Sequence, residues 1–200
     1  MRRIVLAITG ASGAIYGVRM AELLGRNPDV ELHFILSRGA AATIEYETGL
    51  APSAVAAHAD TVYEESNLAA AVASGTFLTN GMVIAPCSIR TLSAVANSAN
   101  DNLIARAADV HLKERRRLIL MVRETPLHAG HLRLMSDATA AGAVILPPVP
   151  GFYVRPRTIS ELVDHSVGKA LDLLGIGHDL FRRWTGPEPT AADDHEGDAP

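Results

Sequence analysis

Four short, continuous apolar runs, residues 4–9, 82–85, Leu118–Val122 and 143–146, and the mixed but strand-like Val30–Leu36 frame the chain. Each has the length and composition of a strand buried in a parallel sheet. Between them, apolar positions recur at helical spacing. Val18, Ala21, Leu23 and Leu24 mark a first helix that Asn27-Pro28-Asp29 stops. Residues 39–48 mark a second, ended by Gly49. Later patterns predict helices over 91–96, Leu103–Lys113, 132–141 and Ile159–Leu174, with a polar turn at 97–102 and a proline-rich loop at 147–156. The stretch 51–80 is the least regular. It predicts one short strand near Thr61-Val62-Tyr63 and one helix near 68–73, and Pro86 is expected to close the strand at 82–85.

Strands alternating with helices predict an α/β fold. The fold class expected is three-layered, Rossmann-like or flavodoxin-like, with a mostly parallel sheet and helices on both faces. Ligands in such sheets bind beyond the carboxyl ends of the strands. Ser12, Ser37, Ser88, Arg123, Glu124 and Tyr153 all follow strands, so the candidate chemistry gathers there.

Composition narrows the picture. The chain has 200 residues, 48% of them hydrophobic, enough for one domain with a sizeable core. Its net charge of −4 is uneven: the five acids of residues 186–200 face no Lys or Arg, and without them 17 acids stand against 18 bases. The body is therefore nearly neutral and lacks the dense basic face of a nucleic-acid binder. We expect an α/β domain over 1–185 and a disordered acidic tail over 186–200. A single cysteine, Cys87, excludes an intramolecular disulfide. No leader pattern follows Met1, and no run is long enough to span a membrane, so the cytoplasm is the default location.

Four groups of residues carry candidate chemistry. In Thr9-Gly10-Ala11-Ser12-Gly13 a strand enters a helix through small residues, a turn that suits a phosphate at the helix N-terminus or serves only as a tight turn. In Pro86-Cys87-Ser88-Ile89-Arg90-Thr91, Ser88 and Thr91 can cap a helix, offer hydroxyls to a ligand, or both. Cys87 has no His nearby to make it a nucleophile. Arg106, Lys113, Arg123 and Lys169, with Tyr153, form a basic set suited to a phosphate ester or, residue by residue, to a solvated face, except that Arg123 directly follows a buried strand, where a cation must find an anion. Arg106 and Lys113 are seven apart and share one helical face. Glu124 beside Arg123 is a candidate acid/base. Glu47 sits near a helix C-terminus, against the dipole preference. His128 and His131 lack a third ligand at metal spacing, so no metal site is expected. Arg115-Arg116-Arg117 reads as a solvated helix end or a subunit contact.

In this order the segments resemble the UbiX-type flavin prenyltransferases, a family that includes the small B subunits of bacterial phenolic-acid decarboxylase systems. The matching pieces are residues 9–17, Ser37, Glu47-Thr48, 86–88, 91–96, 102–109, 112–116, 123–126, 142–147, 150–153 and 174–176. The resemblance implies that dimethylallyl phosphate alkylates reduced FMN at N5 and then C6, without a metal. The prenylated FMN would serve a UbiD-type decarboxylase. It also implies a homo-oligomer, commonly a dodecamer, with sites at subunit interfaces. Carried over, Gly10, Ala11, Ser12, Ser37, Ser88, Ile89, Arg90, Thr91 and Arg123 are the expected FMN contacts. Tyr153, Lys169, Arg106 and Lys113 are the expected prenyl-phosphate contacts, and Glu47 and Glu124 the functional carboxylates. Lys169 stands where some relatives have Arg, which keeps the charge and loses the fork.

Two enzyme rivals share parts of this pattern. A short-chain dehydrogenase requires a Tyr with Lys four residues on, and no Tyr here has one. A flavin-dependent cysteine decarboxylase shares the fold, but Arg123-Glu124-Thr125-Pro126 stands where that family has a Pro-x-Met-Asn type motif. A non-enzymatic FMN carrier would satisfy much of the same sequence.

Overall fold

A computed structural model describes residues 1–186; residues 187–200, nearly all of the expected acidic tail, lie outside them. Six parallel strands form one sheet in the order β3-β2-β1-β4-β5-β6. They are β1 Arg2–Ile8, β2 Val30–Leu36, β3 Thr61–Glu64, β4 Gly81–Cys87, β5 Leu118–Val122 and β6 Val144–Ile145. This is the six-stranded Rossmann order, in the layering that Rossmann-like and flavodoxin-like folds share.

The pleat of β1 divides the core in two. Ile4, Leu6 and Ile8 point to one face, and Val5 and Ala7 to the other, all fully buried. The first face is covered by α1 (Ala14–Gly25), α2 (Arg38–Thr48), the short α3 (Pro52–Ala56) and α7 (Ile159–Leu174). The second is covered by α4 (Ile89–Ala96), α5 (Leu103–Lys113) and α6 (Ala129–Ala141). With both faces covered, strand residues need not alternate, which is why the apolar runs are continuous.

Three local expectations change. Pro86 does not close β4 but lies inside it, at a register shift between Ile84 and Cys87. A proline is tolerated in a strand at such an irregularity, and its carbonyl still accepts from the Thr9 amide at 3.3 Å. The helix expected near 68–73 reduces to a 3₁₀ turn at Ala71–Ala73. There the Asn67 side chain accepts from the Ala69 amide at 3.1 Å and its carbonyl from Ala70 at 3.2 Å, so turns replace a helical ladder. Helix α3, which starts with Pro52 in its first turn, was not expected.

Within the run at 115–117, Arg115 and Arg117 are exposed, while Arg116 is half-buried and engaged inside the chain. Its guanidinium donates to the carbonyls of Phe77, at 2.8 Å, and Gly75, and ties the loop before β4 to the end of α5.

Helix α1 lies so close to the sheet that Gly17 touches it. A Cβ there would stand 2.1 Å from the Ala85 carbonyl oxygen and 2.7 Å from Ile8 Cδ1. Gly17→Ala must therefore push α1 off β4, with a loss of ~3 kcal/mol or more, at the upper end of overpacking. Urea unfolding should report it as a lower midpoint with the slope unchanged.

Candidate active site

The strand order reverses direction between β1 and β4, and the crevice opens at their carboxyl ends. Thr9, buried at the end of β1, joins the two strands. Its hydroxyl donates to the Pro86 carbonyl at 2.6 Å and accepts from the Ser88 amide at 2.9 Å. Thr9 is thus a joint, with both hydrogen-bonding roles used inside the protein. Gly10 passes against Gly39, where a Cβ would meet backbone at 3.2 Å, so the loop after β1 and the start of α2 wall the crevice with main chain.

Ser88 is the N-cap of α4, accepting from the Thr91 amide at 3.3 Å, with its Oγ 3.1 Å from the Thr91 hydroxyl. Ser37 caps α2 in the same way, accepting from Ala40 at 3.1 Å. The capping reading of Ser88 holds, and a cap leaves the first-turn amides of Ile89 and Arg90 without helical partners. Arg123 follows β5, its amide donating to the Cys87 carbonyl at 3.1 Å, and forms no salt bridge among the described residues. Glu124 next to it is exposed and accepts from the Thr125 amide at 3.0 Å. Cys87 is fully buried, and burial pushes its thiol pKa up, away from a thiolate role.

The loop at 9–13 differs from a simple phosphate cradle. Glu47 reaches across from the last turn of α2 and accepts from the Gly13 amide at 2.8 Å and the Ala14 amide at 2.9 Å. A carboxylate of the chain itself therefore occupies the positive end of α1. Burial alone would raise the Glu47 pKa. The Ser12 hydroxyl, the two amides and the Arg123 charge outweigh it and hold the group below its ordinary value. The misfit of Glu47 with its own helix dipole is resolved by its fit to the neighbouring one.

A model of the Flavoprotein family matches residues 1–169. The chain is 55% identical to the flavin prenyltransferase UbiX of Thauera aromatica over 186 residues, 93% of this chain and 95% of that one. The chain belongs to the UbiX-type flavin prenyltransferases. Its fold matches the crystal structure of AnUbiX (PadA1), in complex with FMN and dimethylallyl pyrophosphate, with a TM-score of 0.91, 51% identity and coverage of 94% and 99% of the two chains. A dodecameric FMN-dependent Ubix-like decarboxylase from Escherichia coli O157:H7 matches with a TM-score of 0.90 at 41% identity, covering 92% and 100%.

Within one copy of this UbiX-type chain the expected residues fall into separate groups. Gly10, Ala11, Ser12, Ser37, Glu47, Ser88–Thr91 and Arg123 surround the crevice. Tyr153 instead lines a cavity of about 430 Å³ with Arg155, Arg183 and Trp184, which contains none of the crevice residues. Lys169 projects, exposed, from α7 on the first face of the sheet. Arg106 and Lys113 belong to α5 on the second face. Arg106 donates to the Ala73 carbonyl at 3.1 Å and pairs with Asp109 at 3.2 Å, while Lys113 pairs with Glu114. The basic set read as one phosphate-binding group is thus not assembled inside a single copy. Helical spacing put Arg106 and Lys113 on one face of α5 but could not say which side of the sheet α5 covers. Among the described residues no group of three His, Cys, Asp or Glu is placed to hold a metal ion.

The sequence reading missed one residue near Tyr153. His165 is buried on α7, with Nε2 3.1 Å from the Tyr153 hydroxyl. The only signal for it was its place one turn before Lys169.

Glu47→Gln should lower stability by about 1 kcal/mol at neutral pH, the scale of a helix-end interaction with a solvent-exposed group. The folded pKa of Glu47 is depressed, so its stabilisation is present above the unfolded carboxylate pKa and is lost as pH falls through the folded one. Urea midpoints of wild type and variant should therefore converge in acid. A gap that stays constant with pH would assign the effect to packing.

Proposed function

We propose that the chain transfers a dimethylallyl group from dimethylallyl phosphate to reduced FMN, forming bonds at N5 and C6 and releasing phosphate. The observation that carries this reading is the Ser12–Glu47 pair at the mouth of the crevice, with Arg123 beside it. The Glu47 carboxylate holds the Ser12 hydroxyl at the crevice, and the proton that ring closure at C6 must release goes to Glu124 or to the released phosphate. The strong identity to flavin prenyltransferases along 93% of the chain supports the same reading.

The donor set fits FMN. The capped N-termini of α4 and α2, with Ser88, Thr91 and Ser37, suit its phosphate, and the main-chain wall at Gly10, Ala11 and Gly39 suits a flat ring. Ile89, Arg90 and Arg123 complete this set. Reduced FMN supplies the nucleophilic atoms as the acceptor substrate. The residues proposed for the prenyl phosphate, Tyr153, Lys169, Arg106 and Lys113, neutralise the leaving group in place of a metal. Glu124 stands next to Arg123 as the carboxyl that exchanges a proton with that phosphate.

Because these residues lie on opposite faces of one chain, we place the complete site between copies in a homo-oligomer, a dodecamer by likeness to the E. coli O157:H7 protein. Val149 and Phe152, 70% and 68% exposed beside Tyr153, give that surface the apolar character of a contact. The product would serve a UbiD-type decarboxylase in the cytoplasm; among the described residues no helix is long and apolar enough to cross a membrane.

Anaerobic incubation with reduced FMN and dimethylallyl monophosphate should yield a flavin heavier by one dimethylallyl unit in mass spectrometry, in EDTA as well as with magnesium. Unaltered flavin would refute the activity, and restoration by magnesium alone would refute the metal-free part. Glu124→Gln should keep FMN affinity and slow single-turnover alkylation by ~10²–10⁴-fold, the usual cost of losing an acid/base. Lys169→Ala should raise the KM for the prenyl phosphate while leaving FMN binding unchanged.

A further inference from the structure

The His165 imidazole is held on several sides. It is 7% exposed. Its ring meets Tyr153 edge-on, with centroids 5.6 Å apart, and lies 4.9 Å from the Phe181 ring. On a further side the loop passes at Gly151, where a Cβ would stand 2.8 Å from His165 Cε1 and 3.1 Å from Nε2. Only a glycine lets the chain run that close. The loop that carries Tyr153 is therefore seated on this ring, and the one polar link is the contact of 3.1 Å between Nε2 and the Tyr153 hydroxyl.

That link holds one hydrogen, and the other ring nitrogen decides whose it is. Nδ1 is buried without a hydrogen-bond partner. With the proton on Nδ1, an N–H donor would be buried unsatisfied, and the tyrosine proton would turn inward to Nε2. The phenol oxygen would then show only lone pairs to an incoming anion. With the proton on Nε2, the ring donates to the phenol oxygen, Nδ1 keeps only an unused lone pair, and the tyrosine O–H is free to point outward. Burial first, and then the charge of Lys169, lower the His165 pKa, so the ring is neutral and has a tautomer to choose.

We propose that His165 is a positioning residue for the prenyl-phosphate subsite, whose Nε2–H holds the Tyr153 oxygen and turns the phenol proton toward the leaving phosphate. This rests on the reading of Tyr153 as a contact to that phosphate. His165 touches no substrate itself; it fixes which way a donor points.

The test is a double-mutant cycle in the full chain, with KM for dimethylallyl monophosphate and FMN affinity measured separately. His165→Phe keeps a ring but no donor and should raise that KM about tenfold, the scale of one hydrogen bond, with FMN affinity unchanged. Tyr153→Phe should do the same, and the double variant should be no worse than Tyr153→Phe alone. His165→Gln, whose amide can donate to the phenol, should recover most of the loss. Additive losses in the double variant, or a Gln variant as poor as Phe, would overturn the proposal. Nitrogen-15 NMR of histidine-labelled wild type reads the tautomer without any substitution. A proton on Nε2 supports the assignment and one on Nδ1 overturns it. Wild type that fails to alkylate flavin refutes the proposed activity instead, and the ring-nitrogen shifts still decide the tautomer.

Discussion

The Thr9 hydroxyl holds the crevice open in one shape. By donating to Pro86 and accepting from the Ser88 amide, it fixes where β1 ends relative to β4, and so where the loops after both strands begin. A parallel sheet with both faces covered can present ligand-binding groups only at its edges. At that edge β1 and β4 send their chains to opposite faces. Everything proposed for FMN depends on this divergence: the main-chain wall at Gly10 and Gly39, the α4 cap at Ser88, and Arg123, whose amide is tied to the Cys87 carbonyl.

The same edge shows why a glycine-rich turn after a first strand is an incomplete signal. Its amides do gather at a helix N-terminus, as the sequence implies. Two of them are already engaged by Glu47, which comes from the end of another helix 34 residues from Gly13. The turn therefore works as the anchor of a carboxylate that stays ionised and keeps a hydroxyl at its side. The anion binding proposed for the N-termini of α2 and α4 complements it. The fold thus places a negative group and positive groups around one opening, an arrangement suited to moving a proton and expelling a phosphate together.

How far the sequence could be read follows from the range of each interaction. The strand-like runs at β1, β2, β4 and β5, and the helices ended by Gly49 and Gly175, are set by local periodicity and caps, and they stand where expected. Pro86 misled because its tolerance depends on a register shift in the pairing of β4 with β5, which no local pattern reports. Asn67 misled because a side-chain turn competes with helix and leaves the same composition. The crevice residues after β1, β2, β4 and β5 were legible because strand ends of a parallel sheet converge. Arg106, Lys113 and Lys169 were legible as cations but not as a group, since helical spacing does not report which face a helix covers. His165 was invisible, because its meaning comes from a glycine and a tyrosine in a different loop.

The separation of the crevice from the proposed prenyl-phosphate residues within one chain has a genetic consequence. Crevice residues and prenyl-phosphate residues would come from different copies. A chain damaged at Glu124 and a chain damaged at Lys169 would then be defective in different halves of the same site. When they co-assemble, some interfaces receive the sound half from each. Two impaired alleles expressed together would thus complement one another, whereas two alleles damaged in the same half would not.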